Sequence, residues 1–368
     1  MNYFMIIKTV PKKCLWKYNI LCFIIIFYTF SIYCSSSKSD QERDAYFSQF
    51  KDNHKSEILI SADYIFNNEG LNMPAFIKTN PSTKEIVILD KGNKCFYVFT
   101  PEGKFVRKFS RVGQGPGEMM DPVAFDIDNE GTIYMVDRVN NRISIFSSTG
   151  EYLNSFRVDG KFVRTPRGYC TIFINNNEEI VVNLPGRGYY FTVFSKDGKI
   201  IREIGKVQEF NKKHERINAI FGHGYVYVDG KENYIIILDY LYTVRIYDKS
   251  GNFVKELNID EILGTDEKKY MATPPKGDER LNVVCSIHQI LFKEGKIYII
   301  YNIGWEGETF IDCISEYFTQ IDKFLINIPD DKLEGNNYFP FDILENYDVL
   351  VSLDYYGEVL KFVQNKLH

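Results

Sequence analysis

The chain has 368 residues, a formal net charge of −5 and an apolar content of 45%, with 29 Phe and 26 Tyr. That length exceeds what a single hydrophobic core usually serves, so the mass has to be spread over several packed layers or repeated units. The acidic balance argues against a general nucleic-acid binder, which would present a basic surface, while the aromatic content suits strands and packing between sheets.

In chain order, the first element is a targeting segment. Lys8, Lys12, Lys13 and Lys17 precede an apolar run over 20–33, which is short for a membrane span and suits the apolar region of a signal peptide. Cys34 follows directly and is trailed by the polar stretch 35–40. This arrangement is similar to a bacterial lipoprotein signal, in which the cysteine becomes the lipidated first residue. One departure is the bulky Tyr33, where such signals usually carry a small residue. Cleavage near Ser36 and retention of the segment as a membrane anchor are the alternatives. The expected organisation is a signal at 1–34 with Cys34 as the lipidation site, a polar tether at 35–55, and one folded domain over 56–368.

The folded part repeats a unit best seen at 113–158. There a glycine-rich loop, GQGPGE, leads into Val123-Ala124-Phe125-Asp126-Ile127, whose alternating apolar positions suit a half-buried strand. Asn129-Glu130-Gly131 turns into a second strand ending at Asp137, a third runs from Arg142 to Phe146, and Gly150 turns into a fourth. The closing Asp or Asn of the second strand recurs as Asp90, Asp137, Asn183, Asp239, Asn302 and Asp354. A turn glycine keeps step with it at Gly103, Gly150, Gly198 and Gly251. Spacings of roughly 50 residues are those of four-stranded propeller blades. The expected fold is therefore all-β: a six-bladed β-propeller of four-stranded antiparallel blades. The last unit has only three clear strands, so the strand at 57–66 is expected to pair with it and close the ring. An open array of sandwiches is the alternative.

Pro122, the strand after it, Gly131, Tyr134-Met135-Val136-Asp137, Asn141-Arg142-Ile143 and Gly150 together resemble an NHL repeat. The GQGPGE loop resembles that of six-bladed propeller lipoproteins of Gram-negative bacteria. The resemblance implies a propeller over the folded region and attachment to the cell envelope. Later units depart from it: Asn183 and Asn302 replace Asp, and the fifth lacks the turn glycine.

Candidate functional residues follow from topology. Loops between strands two and three share one face with the connections between blades, and loops on a rigid scaffold commonly carry binding groups. That face is expected to present Arg138, Arg164, Arg167 and Arg187, whose planar donor forks suit carboxylate or phosphate. It is also expected to present Tyr240, Trp305 and Tyr355 as flat apolar surfaces, and His223, which Gly222 and Gly224 would leave accessible. Arg142 occupies the repeat's own position and is expected to brace its blade. The closing Asp and Asn residues are expected to tie down turns rather than ring a metal.

Catalytic signals are weak. No histidine has a partner at zinc-ligand spacing, there is no G-x-S-x-G elbow, and GQGPGE is followed by a strand where a dinucleotide fingerprint needs a helix. Cys95, Cys170, Cys285 and Cys313 are dispersed and read as small buried hydrophobes. No catalytic residue, metal ligand or cofactor is assigned. The leading expectation is an exported, lipid-anchored propeller at the outer membrane or in the periplasm. It would bind a ligand or an envelope protein through converging loops, touching the membrane through its anchor and no nucleic acid. A calcium-dependent lactonase-like hydrolase is the first alternative, because propellers of this size include such enzymes; an envelope assembly scaffold is the second.

Overall fold

The second strands explain the architecture. IVILD at Ile86–Asp90 and IYMVD at Ile133–Asp137 are buried at every position. An apolar strand buried on both faces needs a sheet packed on each side of its own. Outer strands such as FVRKF at Phe105–Phe109 and YLNSFR at Tyr152–Arg157 are largely exposed. Each sheet thus runs from a buried inner edge to a solvated outer one, as a propeller blade does. The structure is a computed structural model. It describes residues 57–59, 62–64, 70–160, 162, 170–208, 218, 220–238, 240, 241, 243–258, 285–293, 295–303, 309–315, 320–326, 341–343, 349–353 and 358–362.

The described strands form six sheets, each built on antiparallel strands consecutive in the chain. The first comprises Pro74–Thr79, Ile86–Asp90, Cys95–Phe99 and Phe105–Phe109. The second comprises Pro122–Ile127, Ile133–Asp137, Arg142–Phe146 and Tyr152–Arg157. Ile172–Ile174, Ile180–Asn183, Tyr189–Phe194 and Ile200–Lys206 make the third; Tyr225–Val228, Tyr234–Leu238, Thr243–Tyr247 and Phe253–Asn258 make the fourth. The fifth runs through Cys285–Lys293, Lys296–Ile303, Thr309–Ser315 and Gln320–Ile326, and the sixth through Phe341–Ile343, Val349–Leu353 and Glu358–Phe362.

The segment expected as one strand over 57–66 is two. Glu57–Leu59 adds parallel to the outer strand of the fifth sheet, with Glu57 opposite Phe324. Ala62–Tyr64 lies antiparallel to the last strand of the sixth, with Ala62 opposite Phe362. Two short pairings occupy two exposed sheet edges where a single strand would have occupied one.

The core lies between sheets. Phe96 of the first stacks on Phe109 at 4.8 Å and meets the edge of Phe125 of the second at 5.3 Å. Tyr134, Val136 and Ile143 pack with Ile172, Ile180 and Val182 of the third, and Phe191 and Val193 with Val226 and Ile236 of the fourth. Ile77, Ile88 and Phe99 pack with Leu350 and Val359, which joins the first sheet to the sixth.

The turn glycine is explained by this packing. Gly150 has φ of +94°, and a Cβ there would lie 2.5 Å from the Phe109 ring of the preceding sheet. Gly198 meets Phe156 in the same way. The marker serves a positive φ and a close approach between sheets at once. An arginine guards two of these seams. Arg107 pairs with Glu85 at 2.7 Å and donates to Ser148 O and Thr149 O of the next sheet. Arg202 pairs with Glu179 at 2.8 Å and donates to Tyr234 Oη and Lys249 O.

Candidate ligand site on the propeller axis

Each inner strand has one edge with no strand beside it, so its backbone groups need other partners. Side chains of neighbouring sheets supply them. Asp126 Oδ2 of the second sheet accepts from Ile174 N of the third at 2.7 Å, and its Oδ1 accepts from Lys78 Nζ of the first. Asp342 Oδ2 of the sixth accepts from Thr79 N at 2.5 Å and Thr79 Oγ1 at 2.6 Å, while Oδ1 accepts from Ile343 N at 2.9 Å. Gln289 Oε1 of the fifth accepts from Phe341 N of the sixth at 2.7 Å. Thr171 Oγ1 donates to Gly224 O at 2.6 Å, and Lys293 Nζ donates to Ile343 O. These bonds form a polar belt that couples blade to blade around the axis.

Inside the belt is a cavity of about 510 Å³, within the range of small-molecule sites. Its wall has two characters. Sheets three to five contribute Phe173, Tyr227 and Phe292, all half-buried. Tyr227 stacks on Phe292 at 4.6 Å with an interplanar angle of 11°, and Phe173 meets Tyr227 edge-on at 5.8 Å. Sheets six, one and two contribute Asp342, Thr79, Lys78 and Asp126. Pro81, Lys84, Asn129 and Asn176, from the turns between first and second strands, line the cavity too. It therefore lies toward the face opposite the one expected from the sequence.

The expected site residues fare differently. Arg138 is in an ion pair with Asp121, which Lys91 also approaches at 3.6 Å. Arg187 is held by Glu203 at 2.9 Å and Asp159 at 3.2 Å and is only 19% exposed, so its donor fork is engaged within the protein. His223 is 2% exposed, edge-on to Tyr225 and Tyr240, and Tyr240 is itself buried against Phe221. The accessibility expected of His223 is corrected by its flanking glycines. A Cβ at Gly222 would lie 2.8 Å from Pro185, and one at Gly224 2.6 Å from Ile237 O. Those glycines let the backbone press inward and bury the imidazole. Arg164, Arg167, Trp305, Tyr355 and Cys34 lie outside the described residues, as do the repeat positions Asp239 and Asp354.

The repeat residues act locally. Asp137 accepts from Met120 N, Asp121 N, Asn140 N and Asn140 Nδ2, at 2.7 to 3.1 Å, and Asp90 does the same for Asn72, Met73 and Asn93. Arg142 donates to the carbonyls of Gln114, Gly115 and Glu118, bracing the GQGPGE loop. Among the described residues no three acidic, His or Cys side chains cluster as metal ligands. Cys95, Cys170 and Cys313 are buried and in no disulfide; burial pushes Cys95 up to about 11 and Cys170 to about 12, which keeps both protonated.

The axial residues were missed from sequence, where all that marks them is a charge at or near the end of an inner strand: Lys78 in PAFIKT, Asp126 in PVAFDI, Lys293 at the end of CSIHQILFK and Asp342 in FDI.

Comparisons with known proteins agree with this architecture. Residues 77–253 match the model of a family described as DUF5128, a 6-bladed beta-propeller. A crystal structure of an inferred exported protein from Bacteroides fragilis aligns with TM-score 0.52 at 14% identity, covering 82% of this chain and 94% of that one. A DUF4221 family member from Bacteroides vulgatus aligns with TM-score 0.52 at 10% identity, over 82% of this chain and 95% of that one. Virginiamycin B lyase from Staphylococcus aureus, solved as a catalytically inactive variant with quinupristin, gives 0.51 at 12% identity, over 83% and 86%. No curated protein matches the sequence. The chain is a β-propeller with four-stranded antiparallel blades; identities this low speak to fold alone.

Proposed function

We propose that this propeller is an exported binding module of the bacterial cell envelope, anchored through a lipid on Cys34 and resembling NHL-like lipoproteins. In this reading 1–34 is the signal, 35–55 the tether, and 56–368 the recognition domain. Cys34 attaches the protein to the outer membrane or another periplasm-facing surface. The supporting observation is the axial cavity of about 510 Å³, whose wall is held by hydrogen bonds between blades. A wall whose side chains are already tied by hydrogen bonds has less freedom to lose on binding, which favours recognition. The residues expected from the sequence to contact a partner, Arg138, Arg164, Arg167, Trp305 and Tyr355, are proposed to engage an envelope protein.

The test combines labelling with binding on the full chain. Wild type is expected to incorporate labelled palmitate and fractionate with membranes, and Cys34→Ala to lose both, since each buried CH₂ of an acyl chain contributes roughly 0.8 kcal/mol. Equal labelling of the two proteins would reject the anchor. A thermal-shift screen of anionic, neutral and cationic small molecules should give saturable stabilisation by at least one class. Tight calcium binding with metal-dependent lactone hydrolysis would replace the binding reading with a catalytic one.

A further inference from the structure

Inside the axial cavity, the two halves of the wall offer different chemistry. On sheets three to five, Phe173, Tyr227 and Phe292 form a continuous aromatic ladder, half-buried and facing the cavity. Flat rings of this kind receive a flat apolar ligand face by stacking or edge contact. The polar part of the wall sets Asp126 and Asp342 against Lys78, Lys84 and Lys293, the last at the end of the inner strand of sheet five and bonded to sheet six. The hydrogen bonds show which of these groups are turned into the wall.

Both carboxylates are about 5% exposed, and each oxygen already accepts from the protein. An ammonium has three protons. The bond to Asp126 uses one from Lys78, whose side chain is 27% exposed; the bond to Ile343 O uses one from Lys293. The acids are thus turned into the wall as structural acceptors, while Lys78 and Lys293, which line the cavity, each carry protons beyond the bond named. Such a surface favours an acceptor carrying negative charge, in surroundings where water screens it less than at an open surface.

We propose that the axial cavity is a site for a small flat-faced organic acid, its ring on the Phe173–Tyr227–Phe292 ladder and its carboxylate toward Lys78, Lys84 and Lys293. The proposal rests on the reading of the chain as a binding module. The cavity volume suits a ligand of one to three rings.

The test uses 1-naphthoate and its uncharged isostere 1-naphthamide, titrated calorimetrically into the full-length protein at low and moderate salt. Naphthoate is expected to bind at one site at least 10-fold tighter than the amide, with affinity falling as salt rises. Lys293→Met, whose partner is a carbonyl rather than a buried acid, should weaken naphthoate about 10-fold and leave the amide unchanged. Lys84→Ala, on an exposed turn, provides a second charge variant. Tyr227→Leu should weaken acid and amide together. Melting curves of each variant separate lost binding from lost fold. Equal affinity for acid and amide, or naphthoate binding indifferent to Lys293→Met and Lys84→Ala, would overturn the proposal. If a cationic or neutral class binds in the cavity and naphthoate does not, the acid specificity fails while the binding module stands. If no class binds, both fail.

Discussion

The second and third sheets end their second strands at the same place with opposite chemistry. Asp137 is a fully buried acceptor ringed by four N–H donors from the preceding connection and the following turn. Asn183, 3% exposed at the matching position, donates through Nδ2 to Tyr190 O at 2.8 Å and Gly222 O at 3.0 Å. Around Asp137 the backbone presents N–H groups; around Asn183 it presents carbonyls. The repeat therefore conserves a tie between strand end and turn, and the polarity of that tie follows the path of the local backbone. Asp and Asn here are not interchangeable spellings of one motif.

Asn183→Asp breaks this distinction most severely. It would face two carbonyls with a buried charge, a situation that costs roughly 3–5 kcal/mol at neutral pH. The carboxyl would take up a proton to avoid that, raising its pKa above the unfolded value of about 3.9. The variant should therefore regain stability relative to wild type as pH falls, because its neutral form can donate to a carbonyl. Chemical denaturation at neutral and acidic pH checks the sign; a penalty independent of pH would mean that Asn183 acts through packing alone. The converse change, Asp137→Asn, removes the charge from a nest of donors and turns an amide NH₂ toward other N–H groups. A loss of roughly 2–3 kcal/mol is expected, and a neutral result would show that charge is irrelevant there.

The seams sharpen the comparison at lower cost. Gly150→Ala should lose roughly 2 kcal/mol, since it meets the Phe109 ring at 2.5 Å with φ of +94°. Gly251→Ala should lose about 1 kcal/mol, because the nearest atom is the flexible end of Ile204 at 3.1 Å and mainly the backbone cost remains. Equal losses would assign the whole effect to backbone angle. The smallest effect concerns Glu85. Hydrogen bonding to Arg107 outweighs the opposing effect of burial and holds its carboxyl below the ordinary value. A depressed carboxylate adds stability that is complete above the unfolded pKa of about 4.3 and lost as pH falls through the folded one. Glu85→Gln should thus cost roughly 1 kcal/mol at pH 7, and its gap from wild type should close toward pH 3. A gap that persists in acid would place the contribution in packing.

How much of this was legible in sequence depended on range. The blade unit, the Arg142 brace and the turn-tying Asp137 were readable because their partners lie within one repeat or its connection, and the turn glycines because they recur in step, although the rings they meet belong to the preceding sheet. The axial site was not, because Lys78, Asp126, Lys293 and Asp342 come from four different units, and convergence on an axis leaves no mark in local spacing. Their charges at inner strand ends are indistinguishable, in one dimension, from ordinary solvent-facing positions. His223 failed for another reason. Glycine on both sides signals freedom of approach as readily as exposure, and only the backbone of Ile237 and the ring of Pro185 show which applies. Arg187 looked like a free donor fork because Glu203, its partner, sits on the outer strand of the same sheet, Ile200–Lys206, with nothing in the sequence to pair them.

The bond between Thr79 and Asp342 joins residues 263 positions apart. Contacts so distant in sequence have to wait for loop closure before they can form, and folds that depend on them assemble slowly. As the chain emerges, the first blade therefore completes its own hairpins long before its partner across the seam exists. Until then Thr79 and the apolar face of Ile77 and Ile88 stay uncovered. Closing this seam has to wait for the sheet that carries Asp342, and the interval before it is when a holdase would have most to protect.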